Sequence, residues 1–266
     1  MGAVRGRIAP AAVLWLLIGT AYLLLPLVAT FLYSLKSNQT GSCCTLENYG
    51  EIIHDPAFWK SFRISAVLAL ETIVIGLVLL VPTVYWVNLK LPRLRPVIGF
   101  LALIPFVVPP IVLVVGLLDV FRDTPDWFYA KPYGFLVAAY VILAFPYIYF
   151  ALDTGFRAID VHTLTEASQS LGASWRTTLG RVIIPNIRGA ALAGALLTFA
   201  IVMGEYTIAS LATFDTFPVY IQDINQNKGF PASALVLLSF GITWAAMIAI
   251  AIVGRGRGEA QVGGAR

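Results

Sequence analysis

The stretch Thr163–Pro185, TLTEASQSLGASWRTTLGRVIIP, is the longest soluble-looking segment in a chain otherwise built of apolar runs. Thr163 followed by Glu166 is a capping-box pattern, which predicts a helix starting at Thr163. Leu164, Ala167, Ser168 and Leu171 recur at helical spacing and are expected to share one face. Gly172 comes next. Glycine inside a helix costs about 1 kcal/mol, whereas glycine just past its end is a favoured stop. Ser174 is placed to cap a second short helix carrying Trp175, Leu179 and Val182, and Pro185 is expected to end it. The pattern is two short amphipathic helices about a glycine turn, lying along one face of a membrane.

The membrane follows from composition. Of 266 residues, 59% are hydrophobic and 12% charged, and the mean hydropathy is +0.83. Ordinary globular domains are about 45–50% apolar and about 25% charged. The apolar residues fall in runs, and about 20 apolar residues span the hydrocarbon core as a helix. The expected fold is all-α, a polytopic membrane protein of one domain, 1–266. Six spans are expected, at about 9–35, 62–87, 97–119, 134–152, 188–212 and 231–253, with the polar loop at 153–187 between the fourth and fifth. Arg5 and Arg7 precede the first run as in a secretory signal, but the run from Ile8 to Leu35 is too long for one. It is expected to remain as a first helix. In the third span, Pro105, Pro109 and Pro110 remove backbone donors. Two readings stay open there: a packing kink, or a broken helix lining a pathway.

Orientation comes from the cations. Arg5, Arg7, Lys90, Arg93, Arg95, Arg157, Arg176, Arg181, Arg188, Arg255, Arg257 and Arg266 fall on one side, and Lys36, Lys60, Arg63, Arg122, Lys131 and Lys228 on the other. The richer side is cytoplasmic, so both termini and the Thr163–Pro185 segment are expected in the cytosol. The net charge of +4 therefore speaks to topology and not to nucleic acid. Trp59 and Phe62 suit an outer aromatic belt. Tyr49 and Phe58 fit either that belt or an external contact, and Trp127, Phe128 and Tyr129 an interfacial stretch.

Catalytic chemistry has little to work with. There is no HExxH, GxSxG or Cys-x-x-Cys pattern. His54 and His162 fall on opposite sides of the expected membrane, which leaves no basis for a metal cluster or a catalytic triad. Adjacent Cys43 and Cys44 make no disulfide framework. A GxxxxGK[ST] phosphate loop is also missing, so ATP is not bound in that way. The chain is expected not to be an enzyme. Transport, channel, receptor and scaffold roles remain.

Two carboxylates lie at membrane depth, where ionised groups are costly and usually face a bundle interior or a wet cavity. Glu71 sits in SAVLALETIVIGLVLL and Glu205 in FAIVMGEYTIASL. Each is either a pathway group or a locally hydrogen-bonded structural carboxyl. Tyr206, Thr207 and Ser210 add polar groups beside Glu205, and Gly204 admits close helix approach. Glu205, Tyr206 and Glu71 are accordingly the pathway candidates.

Glu166-Ala167-Ser168, then Gly172, then Val182, Ile184 and Pro185 closely resemble the EAA loop of binding-protein-dependent ABC importer permeases. That pattern is EAA, three residues, Gly, nine residues, Ile-x-Leu-Pro, and its spacing matches throughout. Ser168 replaces the second Ala, Val182 replaces Ile and Ile184 replaces Leu. The resemblance implies a type I importer permease fold, with Glu166, Ala167, Ser168, Leu171 and Gly172 in a coupling helix that fits a groove on a cytosolic ATPase. It also implies a cytosolic ABC ATPase dimer, which holds the ATP and Mg, a second homologous permease subunit and an extracytoplasmic substrate-binding protein. This chain itself would bind no cofactor, no metal and no nucleic acid, and would lie among lipids in the cell membrane. GEYTIASLATFDTFPVYI resembles the second permease of polyamine importers, and also permeases for iron, thiamine and aminoethylphosphonate. Glu205 would suit a cationic solute, which tips the expectation toward spermidine or putrescine. A stand-alone channel or secondary transporter is the alternative class.

Overall fold

Every regular element is helical among the residues described by the computed structural model, which are 10–37, 43–123, 125 and 134–255. In chain order these are α1 (Pro10–Ser34), α2 (Glu47–His54), α3 (Pro56–Lys90), α4 (Arg95–Val107), α5 (Pro110–Val120) and α6 (Gly134–Arg157). After them come α7 (Val161–Ser170), α8 (Trp175–Gly204), α9 (Thr207–Leu211), α10 (Phe217–Asn227) and α11 (Gly229–Arg255). Helices α1, α3, α6, α8 and α11 are each long and apolar enough to cross a membrane. The α4–α5 pair is long and apolar enough to make a sixth when taken together, and is bent by 98° at its break when the short 3-10 turn Pro92–Leu94 is counted with α4. All six expected spans thus have a helical counterpart. The expected aromatic stretch Trp127–Tyr129 and both termini lie outside the described residues.

Backbone chemistry explains the bend. Val108 is extended at φ −83°, ψ 117°, and Pro109 at φ −58°, ψ 140°. A residue before proline is pushed out of the helical region, so the Val108-Pro109-Pro110 run forbids two consecutive helical positions. Pro110 then opens α5, where its missing donor costs nothing. The helix is interrupted here by extended residues.

The chain divides into two compact units, residues 1–56 with 221–241, and residues 57–220 with 242–266. In the first, Asn48 on α2 is fully buried and its amide donates to the carbonyls of Ser34 (2.8 Å) and Lys36 (2.7 Å). It thereby satisfies acceptors that every helix end leaves open. The Ser34 and Tyr49 hydroxyls are hydrogen-bonded at 2.7 Å, so the Tyr49 hydroxyl is engaged within the chain. Tyr33 packs on Phe230, with ring centroids 4.6 Å apart. Lys228 forms an ion pair with Glu51, which, as hydrogen-bond partner and countercharge, holds the ammonium above its ordinary pKa range.

The second unit contains the main core. Val84, Tyr85, Ala102, Ile148, Leu152 and Ile183 are buried together, drawing on α3, α4, α6 and α8. Helices in lipid gain little from apolar transfer, so close packing and polar contacts must hold them. Gly155 on α6 supplies the closest approach: a Cβ there would lie 2.3 Å from the Cβ of Ala190 on α8. The expectation that Gly204 serves this purpose is not met, because nothing lies within 4 Å of a Cβ at Gly204. Phe58 is a core residue and not a belt or partner contact. It is 0% exposed and lies edge-on to Phe217 and Trp59. Trp59 itself is exposed.

Candidate functional site

The polar loop forms the two helices expected of it, with different ends. Helix α7 starts at Val161, not Thr163, because Asp160 caps it. The Asp160 carboxylate accepts from the Thr163 N–H at 3.1 Å and the Thr163 hydroxyl at 2.6 Å. These two bonds, the hydroxyl's first, hold the Asp160 carboxyl below its usual pKa. A carboxylate at the positive end of a helix is a strong acceptor, so it takes the position from the Thr163 hydroxyl. Asp followed three residues later by a hydroxyl was the readable signal.

At its far end, α7 stops on Gly172, whose φ is +81°. The Ala173 N–H donates to Ser168 O at 3.1 Å and the Gly172 N–H to Gln169 O at 2.8 Å. Together these form a Schellman closure, which needs a left-handed residue at the position of Gly172. Ser174 then caps the next helix as expected, accepting from the Thr177 N–H at 3.4 Å.

The buried face of α7 is not the one periodicity suggests. Val161, Thr165 and Ser168 are buried, whereas Ala167 and Leu171 are exposed. Two hydroxyl pairs explain this. The Thr165 hydroxyl lies 3.2 Å from that of Tyr85 on α3, and the Ser168 hydroxyl 2.9 Å from that of Thr178 on α8. Polar groups bury readily once each has a partner, so Thr165 joins the buried face, and of the four residues expected to share a face only Ser168 is buried. Glu166, Ala167, Leu171 and Gly172 are left together on the outer surface, with Leu171 90% exposed.

Pro185 does not end the second helix. Thr178–Ile183 is a π-turn, and the Ile184 N–H donates five residues back to Leu179 O. Pro185 follows in the first turn of the Ile184–Gly204 segment, and the chain continues helically from Trp175 to Gly204. A wide turn just before a proline places it where no donor is missed and its ring meets no tight preceding turn. Beside this turn, Trp175 packs on Trp86 of α3 at 6.3 Å, and the Arg176 guanidinium stands 5.5 Å over the Trp175 ring. Arg95, at the foot of α4, bonds Asp153 of α6 at 2.8 Å, and Arg157 approaches the other carboxylate oxygen at 3.4 Å.

The pathway candidates fall in two places. Glu71 is half-buried on α3, beside an apolar groove of about 620 Å³ lined by Ile75, Leu79, Val137, Ala138 and Val141. Glu205 lies at a break not expected within 188–212. Helix α8 ends at Gly204, Glu205 is extended at φ −78°, ψ 110°, and α9 restarts at Thr207. Glu205 is 8% exposed, and its carboxylate accepts from the N–H groups of Ile208 (3.0 Å) and Ala209 (3.4 Å). Tyr206 is 41% exposed. Glu71 lines the apolar groove, to which neither Glu205 nor Tyr206 contributes.

Long apolar helices, two of them interrupted, define a multi-pass membrane protein, and its polar loop is held to α3 and α8 with an exposed apolar tip. The chain belongs to the binding-protein-dependent transport system inner membrane component family, whose model matches residues 73–256. It is a transport component and not an enzyme. It is 29% identical over 189 residues to a probable molybdenum ABC transporter permease of Haloferax volcanii, covering 67% of this chain and 70% of that one. It is 30% identical over 183 residues to the spermidine/putrescine permease PotB of Salmonella typhimurium strain SL1344, covering 63% of this chain and 62% of that one. The fold is shared with a crystal structure of a bacterial ABC transporter involved in the import of the acidic polysaccharide alginate. The TM-score is 0.69 at 18% identity, covering 93% of this chain and 95% of that one.

Proposed function

We propose that this chain is the passive membrane half of an ATP-driven importer, and that α7 with Gly172 is the element by which a cytosolic ATPase moves it. The carrying observation is the division of labour on α7. One face is fixed to α3 and α8 by the Tyr85–Thr165 and Ser168–Thr178 pairs. The other presents Glu166, Ala167, Leu171 and Gly172 outward. A 90% exposed leucine beside a left-handed glycine is poorly placed for water and well placed for a groove on another protein. The stapled face turns a push at the tip into movement of two spans. Both termini and this loop face the cytosol in this reading, supported by the cation count. The ATPase dimer holds ATP and Mg, an extracytoplasmic binding protein delivers the solute, and a homologous permease subunit completes the pathway. Glu71 and Tyr206 line that pathway. ATP and the loaded binding protein must favour the outward-open state over the inward one for transport to be driven.

The test is Glu166→Lys combined with Gly172→Asp. The pair should abolish ATPase association and uptake while membrane insertion persists; intact association removes α7 from this role.

For the solute, the polyamine reading is supported by the resemblance of the α8–α10 region and by the PotB similarity. A molybdate-type oxyanion is the second reading. It is favoured by the Haloferax relative and by the engagement of Glu205 with backbone amides, which weakens the charge argument for a cation. Uptake assays with spermidine and molybdate, using the cognate binding protein, separate the two.

A further inference from the structure

We infer that Glu205 is a positioning residue, whose carboxylate caps the broken span and fixes α9, and is not a ligand for a cation in transit. The break at Gly204–Glu205 frees the first-turn N–H groups of α9 in a largely buried setting. Ile208 and Ala209 are each 0% exposed, so water is not at hand for their donors. In hydrocarbon or a dry interior, such donors need an internal acceptor. Both oxygens of Glu205 point at them: Oε1 lies 3.0 Å and Oε2 3.1 Å from the Ile208 N, and Oε2 lies 3.4 Å from the Ala209 N. The formal capping position belongs to Tyr206, whose side chain has no acceptor that reaches back, so the preceding residue performs the task.

Two surrounding features fit this role and not a cation site. Among the described residues, no Lys, Arg or His is paired with Glu205 in an ion pair. The neighbouring polar side chain is Tyr140, a buried and uncharged hydroxyl within interaction range of the carboxylate. The carboxylate is also 8% exposed, so a solute cation would have to displace backbone donors and desolvate to reach it. What the cap holds has a clear place in the fold. Helix α9 packs against α5, the half-helix that follows the 98° bend. The two irregular spans therefore meet, and one carboxylate sets the start of one of them. This inference rests on the break itself and holds whichever solute passes.

The test uses the full transporter complex in lipid, with Cys43→Ser and Cys44→Ser removing the exposed native thiols and Ala209→Cys as a buried reporter. A methanethiosulfonate reagent should modify the reporter slowly with Glu205 in place. Glu205→Ala should accelerate modification by roughly tenfold or more, as local opening does for buried sites. Glu205→Gln keeps an acceptor oxygen and should restore most of the protection. Equal rates in the Glu and Ala backgrounds overturn the inference, as do equal rates for Ala and Gln. If Glu205→Ala fails to assemble, the Gln variant decides: assembly with slow modification supports the cap, and fast modification overturns it. Spermidine at saturating concentration should leave the rate unchanged. Protection by spermidine would mean a cation reaches this carboxylate and would also overturn the inference, leaving the coupling role of α7 untouched.

Discussion

The Ser168 hydroxyl lies 2.9 Å from the Thr178 hydroxyl, in a buried contact between α7 and the π-turn that opens α8. Ser168 stands where the resembling motif has alanine, so this bond is a feature of this sequence and not of the motif at large. Ser168→Ala strands the Thr178 hydroxyl in a buried site, which costs more than removing both partners. The double variant Ser168→Ala with Thr178→Val should be less destabilised than the sum of its singles, by about 1 kcal/mol. A double-mutant cycle on unfolding in detergent checks this, and strict additivity would show that the two hydroxyls do not interact.

Leu171 tests the docking face without disturbing the fold. It is 90% exposed, so Leu171→Glu should leave insertion and thermal stability within experimental scatter. Association with the ATPase should fall by about tenfold or more, as for a truncated interface anchor. Co-purification of the two proteins measures it, and undiminished recovery of ATPase would discard Leu171 as an anchor.

Asp160 makes the start of α7 sensitive to acid. Its folded pKa is depressed by the Thr163 bonds. The cap's contribution is therefore present above the ordinary aspartate value of about 3.9 and is lost as pH falls through the lower folded value. A spin label at Gln169, on the exposed surface of α7, should stay immobile from neutrality to about pH 4 and loosen below it. Asp160→Asn, which caps without titrating, should flatten that step, and Asp160→Ala should loosen the label at every pH. A step that survives in the Asn variant must belong to another group.

Gly155 sets the distance between α6 and α8. Gly155→Val forces a Cβ toward the Cβ of Ala190, 2.3 Å away in the present packing, and should cost about 1–3 kcal/mol. Ala190→Gly should recover part of that loss in the same molecule. Thermal denaturation of the four combinations decides it, and no recovery in the double variant would place the strain elsewhere.

Hydropathy made the six spans and the helical class legible, because lipid imposes length and apolarity directly. The glycine stop at Gly172 and the Ser174 cap were legible for a similar reason: local backbone geometry permits few residues there. The misreadings share a different cause. Thr165 and Ser168 bury hydroxyls that find partners only in the folded chain, on Tyr85 and Thr178. The break at Glu205 hides in a run that stays apolar on both sides, and Pro185 is harmless only because a π-turn precedes it. Each depends on a contact or a hydrogen bond that sequence spacing does not encode.

Helix α1 carries a consequence of another kind. None of its spanning window is buried, against 56% for α6. A position that faces α8 must match a neighbour's shape, whereas a position facing only lipid or a separable partner need only be apolar. Substitutions should therefore accumulate quickly along α1 and slowly along α6, so that the two helices keep time at different rates.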